Sequence, residues 1–114
     1  MALNALMDEY VKTVLSKYCE KRVPMEVRNK LRLSFKIRGN SVTLLEERTA
    51  FRRPDDWIEV PIAQFRYNPK ENLWMLYCRD RNRKWHIYEY CKPHSDIQAL
   101  LKSLEDDTIG IFWG

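Results

Sequence analysis

The sequence predicts an α+β fold: a five-stranded, mainly antiparallel meander sheet with a long N-terminal helix along one face, then a short C-terminal helix and an apolar tail. Two observations carry this. An apolar stripe at helical spacing opens the chain, and from Leu31 onward short apolar runs follow one another between turn signals. Those connections are too short for parallel crossovers, so consecutive strands pair antiparallel. At 114 residues the chain reads as one domain, 1–114.

Leu3, Leu6, Met7, Tyr10, Val11, Val14, Leu15 and Tyr18 recur at steps of three and one, which makes a helix with one apolar stripe. Asp8 and Glu9 lie early and Lys17, Lys21 and Arg22 late, matching the macrodipole. Pro24 stops it, because the residue before proline avoids helical geometry. Residues 31–38 alternate apolar with polar, Gly39-Asn40 is a two-residue hairpin turn, and residues 41–48 return. In that register Arg32 sits opposite Glu47. Residues 49–56, with Arg52-Arg53-Pro54-Asp55-Asp56, read as a loop. The third strand covers 57–67; Pro61 and a change of apolar phase after Ile62 predict a bulge or an edge. Asn68-Pro69-Lys70-Glu71-Asn72 is the next turn. Strands four and five form a hairpin over 73–90 that turns at 80–83. Ser95-Asp-Ile-Gln98 resembles a capping box before a short helix, which packs with the tail against an edge or the other face. Phe112 and Trp113 are expected in the core, with the tail as a closing strand.

Composition bounds the function. Hydrophobic residues at 45% and charged residues at 32% describe a globular chain. No apolar run approaches a bilayer span and no signal-peptide pattern is present, so the expectation is a cytoplasmic protein with no membrane contact. Three cysteines cannot all pair within one molecule, and reduced thiols are expected. Residues 12–38 hold nine Lys and Arg against two acids, and residues 66–84 hold six against two. Such asymmetry suits an anionic partner. The stripe Arg28, Lys30, Arg32, Lys36 and Arg38 also reads as a solvated edge that discourages aggregation.

Several blocks, Lys21-Arg-Val-Pro24, Ile37-Arg-Gly-Asn-Ser-Val42, Glu46-Glu-Arg48, Ala63-Gln-Phe-Arg-Tyr67, Asp80-Arg-Asn82, Lys84-Trp-His86, Tyr88-Glu89 and Gly110-Ile-Phe-Trp-Gly114, resemble a small bacterial family of uncharacterised proteins, the domain of unknown function numbered three-zero-two-four. The resemblance runs nearly end to end. It implies a stand-alone single-domain protein and supplies no activity.

The fourth and fifth strands carry the functional lead. A strand wet on one side should alternate, and this hairpin is apolar and aromatic on both faces with a basic turn. With Arg79 opposite Lys84, Trp74, Leu76 and Cys78 share a face with Trp85 and Ile87, and Leu73, Met75 and Tyr77 share the other with His86, Tyr88 and Tyr90. The candidate ligand-binding residues are therefore Tyr77, His86 and Tyr88 for stacking and Arg79, Arg81, Arg83 and Lys84 for phosphates. RNA or single-stranded DNA is the partner this suggests. A homodimer or another protein partner is the alternative, since Tyr, Trp, Met and Arg also fill interface centres. A small enzyme on an anionic substrate, with His86 as base, is the third reading. A helix covering the second face would leave none of them. The chain shows no nucleophile elbow, Gly-rich phosphate loop or His-Glu-x-x-His, and no catalytic residue or cofactor is assigned. Cys78, His86, Cys91 and His94 match no zinc pattern, and the register above puts Cys78 and His86 on opposite faces.

Overall fold

Helix α1 spans Ala5–Arg22 in the computed structural model, which describes residues 3–113. The Asn4 side chain caps it by accepting the Met7 N–H at 2.9 Å. Val23 leaves the helix in an extended conformation, φ −111° and ψ 116°, as a residue before proline must. A single 3₁₀ turn, Met25–Val27, leads to strands β1 (Leu31–Arg38), β2 (Ser41–Ala50), β3 (Arg53–Asn68), β4 (Leu73–Arg79) and β5 (Trp85–Ile87). Helix α2 (Ile97–Asp106) follows. The strands pair antiparallel in sequence order, so the meander and the element order are as the sequence implies. Arg32 faces Glu47 across β1 and β2.

The β2–β3 ladder jumps from Leu44↔Ala63 to Leu45↔Pro61. Ile62 is the extra residue, and the bulge removes the need for a ladder donor at Pro61. Residues 49–56 are not the expected loop. Both strands run on to a two-residue turn at Phe51-Arg52, with Thr49↔Trp57 and Ala50↔Arg53 paired. Proline and aspartates make this stretch read as a loop by composition, yet residues 54–56 are taken up as an irregularity in β3 while pairing continues around them.

The β4–β5 register also differs from expectation. The loop holds five residues rather than four, because Asp80 organises it. Its carboxylate accepts the N–H groups of Asn82 and Lys84 at 2.8 and 2.9 Å, and its own N–H donates to the Lys84 carbonyl at 2.9 Å. Arg83 takes the left-handed position, φ 64°. Pairing becomes Tyr77↔Ile87, Cys78↔His86 and Arg79↔Trp85. A shift of one residue exchanges the faces of β5. That strand stops at Ile87; the Tyr88 N–H still donates to the Leu76 carbonyl at 2.8 Å before the chain turns away.

Both helices and the tail lie on one side of the sheet. Val11 and Leu15 of α1 and Leu100 and Leu104 of α2 join Val42, Leu44, Ala63, Phe65, Trp74 and Leu76 in one buried cluster, closed by Tyr88 and Phe112. The second helix thus shares the face of α1 instead of taking an edge or the other face. Its N-cap is Asp96, one residue after Ser95, accepting the Gln98 N–H at 3.0 Å. Phe112 is buried as expected and Trp113 half-buried, but the tail forms no strand among the described residues.

Candidate functional site

Strand alternation decides what the other face carries. Where Ile37, Val42, Phe65 and Leu76 point into the core, their neighbours point away from the helices. The register aligns these outward residues in rows. One row crosses the sheet through Lys36, Thr43, Gln64, Tyr77 and Ile87, and the next through Arg38, Ser41, Arg66 and Met75. Neither row contains a carboxylate.

Arg32 and Arg79 also point to this face by alternation, and three of its arginines lie against aromatic rings there. The Arg66 guanidinium carbon sits 3.9 Å from the Tyr77 ring centre, that of Arg32 3.7 Å from Trp57, and that of Arg79 5.6 Å from Trp85. Arg66 is held further: its Nε donates to Gln64 Oε1 at 2.7 Å, and Gln64 Nε2 donates to Thr43 Oγ1 at 2.9 Å. Arg32 pairs with Glu47 at 3.3 Å and Lys36 with Glu59 at 2.8 Å. Arg38, Arg66 and Arg79 have no carboxylate partner among the described residues. Among the described residues, Arg79 Nε is buried without a hydrogen-bond partner, a state that few native donors tolerate. The face is therefore a positive surface with rings laid into it.

The residues singled out from sequence divide between two faces. Tyr77 and Arg79 belong to the open face, and Arg81, Arg83 and Lys84 are exposed in the adjoining turn. His86 points to the helix-bearing side, where its Nε2 lies 2.5 Å from Asp80 Oδ2. Tyr88 is buried, at 2% exposure, with its ring 4.9 Å from Phe112. Neither ring joins Tyr77, so the expected stacking trio does not assemble. The five-residue loop is the cause, since it turns His86 and Tyr88 to the helix-bearing side and Trp85 and Ile87 to the open face. The residues that sequence reasoning missed are Trp85, Arg66, Gln64 and Thr43. Arg66 and Gln64 were legible, because they alternate with buried Ala63 and Phe65. Trp85 depended on counting the loop.

Cys78 and His86 are cross-strand partners, which corrects the expectation that they face apart. Among the described residues, no group of three or more His, Cys, Asp or Glu is arranged to hold a metal ion. The Lys84 N–H, then the His86 ring, hold the Asp80 carboxyl below its ordinary range. Burial raises the Cys78 thiol. No helix among the described residues is long and apolar enough to cross a membrane.

Comparison with curated proteins and with solved structures gives no match. A family model does match: residues 3–114 correspond to "Domain of unknown function (DUF3024)", and the chain belongs to that family.

Proposed function

We propose that this chain is a non-catalytic binding module whose open sheet face takes single-stranded nucleic acid, RNA or DNA. The observation that carries the reading is the coincidence, on one face that no helix covers among the described residues, of aromatic rings with arginines that lack acidic partners among those residues. Tyr77 and Trp85 are diagonal neighbours on adjacent strands, since Tyr77 pairs with Ile87 and Arg79 with Trp85. Diagonal positions lie roughly 7–8 Å apart. Two unpaired bases can stack at such stations, each worth about 1–3 kcal/mol. Arg38, Arg66 and Arg79, continued by Arg81, Arg83 and Lys84 in the turn, supply the charge for the phosphates.

Charge also weighs against self-association through this face. A two-fold interface apposes a patch with its own copy, which sets these arginines against one another. The test is anisotropy of short labelled DNA and RNA single strands at low salt. Binding that weakens steeply with salt, and that falls on Tyr77→Ala or Trp85→Ala, is expected. No binding at tens of micromolar, or a dimer in sedimentation that uses this face, overturns the reading.

A further inference from the structure

We infer that Arg66 is a preformed fork for a phosphate oxyanion, built into the sheet before any ligand arrives. The inference rests on the open-face reading for nucleic acid as the source of the phosphate, though not for the chemistry of the fork itself.

An exposed arginine on a strand is ordinarily a mobile charge, and ordering it costs rotamer freedom. Two contacts have already removed that freedom here. The guanidinium carbon lies over the Tyr77 ring, 3.9 Å from its centre, and Gln64 Oε1 accepts from Nε at 2.7 Å. Gln64 is itself fixed by donating to Thr43 Oγ1 at 2.9 Å. The four residues come from β2, β3 and β4, so the sheet ladders hold the group as a unit. With Nε occupied, the edge carrying Nη1 and Nη2 remains, and neither has a partner among the described residues. Two parallel N–H donors in a fixed plane match two oxygens of a phosphate end-on. Arg38, on the same row of the sheet, adds charge and no carboxylate competes within the row. A merely electrostatic surface needs none of this, because any cation in roughly the right place would do.

Substituting lysine separates the two possibilities, since it keeps the charge and removes both the fork and the Nε donor. Oligonucleotide affinity is expected to fall about tenfold in Arg66→Lys. Gln64→Leu should weaken binding several-fold with an unchanged salt slope, since it frees the guanidinium without removing its charge. Circular dichroism confirms that each variant folds. In a second arm, the Arg66 Nε–H signal is followed by NMR while inorganic phosphate, or chloride at equal ionic strength, is added. A shift specific to phosphate supports the fork, and it does so even if no oligonucleotide binds, in which case the source is a free or small-molecule phosphate and only the nucleic-acid reading fails. If Arg66→Lys binds oligonucleotide like the wild type, or phosphate shifts Arg66 no more than chloride does, the fork is overturned and only diffuse charge remains.

Discussion

The carboxylate of Asp107 accepts the backbone N–H of Trp113 at 2.8 Å, six residues further along the chain. Its other oxygen accepts from Ile111 and Phe112 at 2.8 and 3.1 Å. Asp107 can do this because it ends α2 in the left-handed region, φ 40° and ψ 55°, which turns the tail back over the side chain. The acidic end of α2 opposes the helix dipole, so its justification lies in the tail it gathers. Asp107→Ala should cost about 2–3 kcal/mol, since three charge-assisted bonds are exchanged for water. At roughly 4 °C per kcal/mol the melting temperature falls by about 10 °C. An unchanged thermal transition would mean that the tail is held by other contacts.

Phe112 is what that device delivers to the core. It is 7% exposed and its ring lies 4.9 Å from that of Tyr88. Phe112→Ala should destabilise the fold by about 3–5 kcal/mol, the range for a large buried aromatic. Urea denaturation measures it, and a loss under 1 kcal/mol would place the ring outside the cooperative unit.

Asp80 makes the β4–β5 loop sensitive to acid. The Lys84 and Asn82 N–H groups and the His86 ring all favour its carboxylate form, so its folded pKa lies below the unfolded value. The stability it contributes is present above an unfolded pKa of about 3.9 and is lost as pH falls through the lower folded value. Asp80→Asn should therefore melt lower than wild type at neutral pH and lose less on acidification below about pH 4. Parallel melting curves from acid to neutral pH would refute this.

The helices, the meander, the Pro61 bulge and the Arg32–Glu47 pairing were legible because each follows from local pattern: apolar period, a Gly-Asn turn, a proline. The open face was legible only in half. Tyr77 and Arg79 lie on β4, whose faces are set by its pairing with β3, whereas His86 and Tyr88 depended on a loop length that Asp80 fixes through its own side chain. No alternation rule counts such a loop, and one residue reverses every assignment beyond it. The β2–β3 extension was hidden for a related reason. Composition reports that Pro54, Asp55 and Asp56 dislike a ladder, but not that the strand can carry them as an irregularity.

Cys19 should be the slowest of the three thiols to react. It is 8% exposed on the buried side of α1, and burial, helped by the charge of Glu20, pushes its pKa up to about 11. Near pH 8 an ordinary thiol is partly ionised, and this one is almost wholly protonated. Cys91 is only half-buried and should be alkylated first by iodoacetamide, with Cys78, raised by burial, between them. Because the unfolded thiol ionises near 8.5 and the folded one near 11, the folded state also loses this contribution as pH rises between those values. Mass spectrometry of the timed digest decides the order. If Cys19 is modified as fast as Cys91 in native buffer, α1 opens from the sheet far more readily than its packing against Val42 and Phe65 allows.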